Sequence, residues 1–285
     1  MTIGWAGVGF HGEATPTRAE PAQLPPESTA ADDSALQLLE PMPSPVELTP
    51  TSVELKTFVL VHGAWRGAWC WRRVADLLTA KGHLVYTPTL TGVGERSHQL
   101  GPTVDLDTQI LDVVNEMREH DLKNVVLVGH SYGGMVVSGV AEKMEKSIAS
   151  LVMLDAFFPE DGQALIDLQP LPVREAFEEA ERKGALAIPP RPAAMFNVNE
   201  QDAAWVDGQC TPHPLKCFTQ ILTLTGARER IARKSYIRAT GFPSVPFDQA
   251  LDAAFARGWD LYEVPCGHDV MIDMPEKLAE ILESA

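Results

Sequence analysis

Basic residues are scarce in this 285-residue chain. Its 23 lysines and arginines stand against 39 aspartates and glutamates, for a net charge of -16. Nucleic acid and anionic membrane surfaces both call for basic patches, so neither is expected as a partner, and a highly anionic substrate is disfavoured. Cysteine is sparse too. Cys70, Cys210, Cys217 and Cys266 are scattered, which reads as buried thiols in a reduced, cytoplasmic protein, not as a disulfide framework. No apolar run approaches the roughly 18 residues that a membrane span needs. Met1-Thr2-Ile3-Gly4-Trp5 has neither a basic segment nor a long apolar stretch, so no secretory signal is expected. No internal repeat is visible. What is present is ordinary for a soluble globular protein, with 45% hydrophobic and 22% charged residues, and the length suffices to bury a core without staples. A homodimer is left open.

Residues 1–54 stand apart. They hold eight prolines and eight acidic residues against one basic residue, Arg18. Strings such as Pro41-Met42-Pro43-Ser44-Pro45 hold neither a helix nor a central strand. An acidic, proline-rich arm, disordered or loosely docked, is expected. From Thr57 strands and helices alternate. Thr57–Val61 is an apolar run of the kind buried on both faces, and further strands are predicted at 84–87, 124–128, 148–154, 235–239 and 259–264. Helices are predicted at 71–80, 108–120, 132–144, 246–257 and 275–282. Repeated strand–helix–strand units imply an α/β fold with a mostly parallel sheet and helices on both faces. Residues 157–232 break the rhythm and read as an inserted helical cap over the carboxyl edge of the sheet, where ligands bind in such folds.

The strongest chemical signal is Gly129-His130-Ser131-Tyr132-Gly133, between a predicted strand and a predicted helix. A Gly-x-Ser-x-Gly string is common by chance, but this setting is where a nucleophile elbow must sit, with Ser131 lifted clear of the sheet. A serine hydroxyl needs a base. Of eight histidines, His268 stands on the last strand-to-helix loop, after Ser131 in chain order, which suits a general base. His130 is expected to point away from the nucleophile. His62 reads as structural, His98 as a solvated loop residue or a pocket residue, and His11, His83 and His120 as surface residues. The loop Thr240-Gly241-Phe242-Pro243-Ser244 holds no carboxylate. Asp155, at the end of the strand 148–154, is therefore assigned as the acid that orients His268. A turn cap is the bland alternative for Asp155; Asp248 and Asp269 are weaker candidates. The oxyanion hole is assigned to the amides of Ala64 and Tyr132. Trp69 and Trp71 read as packing, with Trp65 undecided between packing and pocket. Cys210, His213 and Cys217 have a spacing that superficially suggests zinc, but Pro212 and Pro214 and the lack of a fourth ligand favour a cap loop. No metal or organic cofactor is expected. The run Arg228–Arg233 reads as a solvated helix face.

These strings also carry a resemblance. Phe58-Val59-Leu60-Val61-His62-Gly63-Ala64-Trp65, Gly67-Ala68-Trp69-Cys70-Trp71, Gly129–Gly134 and Gly267-His268 resemble the hydroxynitrile lyase and plant methyl-esterase branch of the α/β-hydrolases and its bacterial esterase-like relatives. The resemblance covers residues 57–285 and implies the α/β-hydrolase fold. Lyases of that branch carry a threonine at the place of Gly63 and a lysine directly after the catalytic histidine, where this chain has Asp269. Both differences favour ester hydrolysis over carbon–carbon cleavage. Phe242 stands where plant members place the acid; an acid at Asp155 resembles pancreatic-type lipases. The expected function is hydrolysis of a small, largely apolar carboxylic ester through an acyl-enzyme. Amide or carbamate hydrolysis, a hydroxynitrile-type lyase and a weakly catalytic ligand receptor are the alternatives.

Overall fold

Six parallel strands form the frame of the computed structural model, which describes residues 54–285. The acidic arm expected over residues 1–54 lies outside the described residues except for Glu54. The chain enters β1 (Thr57–Val61), passes a 3-10 turn at Ala68–Trp71 into α1 (Arg72–Ala80), and returns as β2 (Leu84–Tyr86). Next come α2 (Leu106–Glu119), β3 (Val125–His130), α3 (Gly133–Met144) and β4 (Ile148–Leu154). The expected cap then intervenes. It comprises α4 (Leu171–Arg182), β5 (Ala187–Ile188), α5 (Glu200–Gln209), β6 (His213–Pro214), α6 (Lys216–Thr219) and α7 (Ala227–Arg230). The frame resumes with β7 (Arg233–Ala239), α8 (Val245–Ala256), β8 (Asp260–Val264), α9 (Val270–Asp273) and α10 (Pro275–Ser284). The cap is thus not purely helical, since β5 and β6 pair antiparallel within it.

The large sheet runs in the order β2-β1-β3-β4-β7-β8. The order reverses at β1, so the loops after β1 and β3 diverge there and open a crevice at the carboxyl ends of the strands. Val61 of β1 lies beside Gly129 of β3, and His130 lies beside Leu154 of β4, which brings the three loop starts level.

Alternation along β1 shows why the central strands β1, β3 and β4 are apolar almost throughout. Phe58 and Leu60 face one layer, with Val74 and Leu78 of α1 and Leu278 and Leu282 of α10. Val59 and Val61 face the other, with Val113 and Met117 of α2 and Val136 and Val140 of α3. These four of the five β1 side chains are fully buried, and each contributes roughly 1.5–3 kcal/mol relative to exposure. Helix α2 begins with a capping box, in which the Asp105 side chain accepts from the Thr108 amide.

Two expectations are corrected. His83 is buried, not on the surface. Its Nδ1 accepts the Lys56 amide at 3.1 Å because the chain folds β2 back beside the start of β1. The run Arg228–Arg233 is not a solvated helix face. Only Ala227–Arg230 is helical, and Arg228 is buried, donating to the Pro159 carbonyl at 2.6 Å with its guanidinium 3.9 Å above the Phe158 ring. An arginine stem that lies along aromatic surface hides its charge in a way no periodicity reveals.

Candidate active site

Ser131 sits at the bend between β3 and α3 with φ of 54°, a left-handed conformation that a serine adopts only under constraint. The constraint is visible on both sides. Its amide donates to the Leu154 carbonyl at 3.2 Å, and its carbonyl accepts from Gly134 and Phe157. A Cβ on Gly129 would stand 2.7 Å from the Gly133 carbonyl oxygen, so the strand and the helix approach each other there only through glycine.

His268 follows β8 and is held at four places. Its Nδ1 donates to Asp155 Oδ2 at 2.6 Å, its amide donates to the Phe196 carbonyl at 2.9 Å, and its carbonyl accepts from His130 Nε2 at 3.0 Å. The Phe247 ring stacks on its imidazole with centroids 5.0 Å apart and planes 11° apart. The Nδ1–H bond to Asp155 fixes the tautomer and leaves Nε2 as an acceptor. The Ser131 hydroxyl makes no hydrogen bond to that imidazole among the described residues, but both line one cavity. Such contacts commonly tighten only when substrate is bound.

Asp155 is fully buried at the end of β4 with φ of 40°. It is not a turn cap. Its second oxygen accepts from Arg238 Nη1 at 2.7 Å and from the Ala239 amide at 3.1 Å. Arg238 was not singled out in the sequence, and Arg233 and Lys234 in the same strand mask the one charge of β7 that is buried. It also donates to the Phe242 carbonyl at 2.8 Å and to Asp248 Oδ1 at 2.9 Å. Asp248 therefore reaches Arg238 and not the imidazole, and 63% of its side chain is exposed. Phe242 fills the place where a carboxylate is missing, its ring 5.0 Å from that of His268.

Ala64 and Tyr132 line the same cavity as Ser131, and neither amide has an acceptor among the described turn and loop bonds. Trp65 also lines it; φ of 64° and an indole bond to the Ile188 carbonyl at 3.0 Å tie it to the cap. A Cβ on Gly63 would stand 2.9 Å from both His130 Nδ1 and Ser131 Cβ. His62 braces this loop from behind. Its Nδ1 donates to the Gly63 carbonyl at 2.8 Å and its Nε2 accepts the Leu90 amide at 3.1 Å. Burial pushes its pKa down to about 4, against a weaker upward pull from the Gly63 carbonyl.

Arg66 and Asp269 are a second feature that sequence reasoning missed. They form a buried bidentate pair, Nε to Oδ1 at 3.0 Å and Nη2 to Oδ2 at 2.5 Å. Burial alone would raise the Asp269 pKa, but the Arg66 charge overrides it and holds the carboxyl at about 2. Asp269 is thus turned away from the cavity and neutralised, and its charge no longer argues against cyanide; the case against a lyase rests on Gly63.

The remaining sequence candidates fall elsewhere. His98 is exposed on a 3-10 turn, and His120 is exposed. His213 is buried, with Nδ1 accepting the Trp65 amide at 3.2 Å, and among the described residues no group of three or more His, Cys, Asp or Glu side chains is placed to hold a metal ion. His11 lies outside the described residues. The four cysteines are free; Cys70 and Cys217 are buried, Cys210 and Cys266 partly so. Trp69 and Trp71 belong to the 3-10 turn Ala68–Trp71 and are buried.

The cavity of about 280 Å³ is walled mainly by aromatic side chains, among them Phe157, Phe177, Phe196, Phe218, Phe242 and Phe247. No described helix is long and apolar enough to cross a membrane.

Comparison with known proteins places this geometry. A family model described as the alpha/beta hydrolase family matches residues 58–281. A carbendazim-hydrolyzing esterase of Nocardioides sp. (strain SG-4G) is 44% identical over 238 residues, covering 80% of this chain and 98% of that protein. Methylesterase 1 of Arabidopsis thaliana is 42% identical over 106 residues, covering 36% of this chain and 40% of its own length. Among solved structures, an extracellular alpha/beta-hydrolase from a Paenibacillus species superposes with a TM-score of 0.72 at 28% identity, covering 81% of this chain and 98% of that one.

Proposed function

The chain belongs to the alpha/beta hydrolase family, and from that premise we propose that it is a serine carboxylesterase-type hydrolase that cleaves a small, largely apolar carboxylic ester through an acyl-enzyme. The observation that carries this reading is the 2.6 Å bond from His268 Nδ1 to Asp155, buried beside the strained Ser131. Ser131 Oγ attacks the ester carbonyl while His268 Nε2 takes its proton. The imidazolium that forms is stabilised by Asp155. The Ala64 and Tyr132 amides hold the oxyanion at the N-terminal end of α3, where the helix dipole also favours negative charge. His268 then returns the proton to the leaving alkoxide. Water, activated by the same imidazole, releases the acid.

An aromatic-walled cavity of about 280 Å³ suits a compact acyl or alcohol group with a flat ring. The relatives named as a carbendazim-hydrolyzing esterase and a methylesterase support ester chemistry. Carbamate or amide cleavage by the same groups is the second reading. The first is favoured over an amide because an alkoxide leaves more readily than an amine, and over a carbamate because nitrogen donation makes the carbamate carbonyl a poorer electrophile. A cytoplasmic setting is proposed from the four free thiols.

The test is turnover of p-nitrophenyl acetate and of aryl methyl esters, with carbendazim and anilides alongside. Ester hydrolysis that falls by roughly 10⁴-fold or more in Ser131→Ala is expected, with fluorophosphonate labelling at Ser131. Absence of both turnover and labelling would sink the proposal.

A further inference from the structure

Among the described residues, Arg191 is a cation without a partner in a cavity lined by no anion. Of the residues that line the cavity, none is an aspartate or glutamate, and Arg191 is the one lysine or arginine among them. No salt bridge or side-chain hydrogen bond reaches it from any described residue. In a chain with 39 acidic residues this local imbalance runs against the global charge. The guanidinium is about half-buried, and burial lowers its pKa with no neighbouring charge to offset it. An arginine in that state gains by meeting an acceptor.

Its backbone is braced on both sides. The segment reads Ile188-Pro189-Pro190-Arg191-Pro192. Proline fixes φ, and a following proline confines the residue before it to extended conformations, so Arg191 is presented from a stiff stretch. At one end the Ile188 carbonyl accepts the Trp65 indole at 3.0 Å. At the other the Ala193 amide donates to Asp207 Oδ1 at 2.7 Å. Trp65 adjoins Ala64, so the segment is tied to the loop assigned to the oxyanion. Gln169 and Ser244 line the same cavity and add neutral polar groups.

We infer that Arg191 recognises a carboxylate on the substrate, and that the favoured substrates are half-esters of aromatic diacids, in which a flat ring separates the scissile ester from a free carboxyl group. The planar guanidinium matches a carboxylate with two parallel hydrogen bonds, while the phenylalanine walls take the ring. A single carboxylate is compatible with the chain's net charge, which disfavours only highly anionic ligands. This inference rests on the ester-hydrolase reading, deepening it to a substrate class.

The test compares monomethyl terephthalate with methyl 4-methylbenzoate, which has the same outline and no charge, and adds monomethyl isophthalate to vary the angle. The wild-type protein should prefer at least one half-ester over the neutral ester by tenfold or more in kcat/KM. In Arg191→Met that ratio should collapse to about one, and Arg191→Lys should lie between. The wild-type preference should shrink as ionic strength rises, since a half-exposed pair is screened. A wild-type ratio near one for both half-esters, or a ratio that Arg191→Met leaves intact, overturns the inference. Calorimetric binding of the same half-esters to Ser131→Ala protein, with and without Arg191→Met, reads recognition without turnover. If no ester is hydrolysed, the reaction assignment fails, and the binding measurement alone decides Arg191.

Discussion

Arg66 and Asp269 lie 203 residues apart and close a bidentate, solvent-excluded ion pair, with one partner on the loop after β1 and the other directly after His268. The pair joins the segment assigned to the oxyanion to the segment assigned to the base, and the Arg66 guanidinium rests 4.8 Å from the Phe196 ring centroid. Removing one member leaves the other charged and buried. Asp269→Asn should therefore cost about 3–5 kcal/mol of stability, read as a lower urea midpoint at unchanged slope. It should also lower kcat more than it raises KM, because the two loops lose their common register. Full activity and stability in Asp269→Asn would show the pair to be ornamental. Asp269 should act on acid stability as well. Its folded pKa of about 2 lies below the ordinary 3.8, so its contribution is complete above about pH 4 and is lost as pH falls through 2.

A separate acid limb should appear at milder pH. Burial holds His62 at about 4 and keeps His130 and His213 well below the ordinary imidazole range. These groups are neutral when folded and take up protons on unfolding, so stability is full above about pH 6.5 and declines below it. For His62 alone the decline reaches on the order of 3 kcal/mol by pH 4. Urea midpoints measured between pH 7 and 4 should fall, and His62→Gln should remove about one proton from the slope. A flat profile would contradict buried neutral histidines.

Arg238 ties four groups to one guanidinium: Asp155, Asp248 and the carbonyls of Ala239 and Phe242. Asp155→Asn should reduce kcat by roughly 10³–10⁴-fold, because the amide no longer enforces the productive tautomer. Asp248→Asn should have a far smaller effect, given its exposure. Arg238→Met should fall between the two. Equal losses in Asp155→Asn and Asp248→Asn would refute the assignment of Asp155.

Gly63 leaves space that a side chain would take from the nucleophile. Gly63→Thr should lower ester turnover and, by crowding His130 and Ser131, cost about 1–3 kcal/mol of stability. Mandelonitrile assays on the wild type should release no cyanide. Cyanide release by the wild-type protein would restore the lyase reading.

The frame was legible in the sequence because its central strands β1, β3 and β4 are apolar on both faces and its glycines mark the elbow. Strand β4 carries its predicted bounds, Ile148–Leu154, and β1 its own, Thr57–Val61. Asp155 was legible by elimination, since the loop around Phe242 offers no carboxylate, and the structure places it 2.6 Å from His268 Nδ1. The supports of the site were not legible. Arg66 with Asp269, and Arg238 with Asp155, join residues 203 and 83 positions apart, and no local period encodes such a pairing. The same holds for Arg228 and His83, whose polar atoms find partners only after the chain has folded back on itself.

The amide of His268 donates to the Phe196 carbonyl, and Gly267 lies so near Asn197 that a Cβ there would come within 2.1 Å of the Asn197 carbonyl oxygen. The proposed base thus stands on a footing that belongs to the insertion between β4 and β7, the proposed lid. A lid transplanted whole from a relative would bring a different footing with it and disturb the chemistry along with the selectivity. New specificities in this chain are therefore more accessible by replacing individual wall residues, with the stretch from Phe196 to Asn199 left untouched.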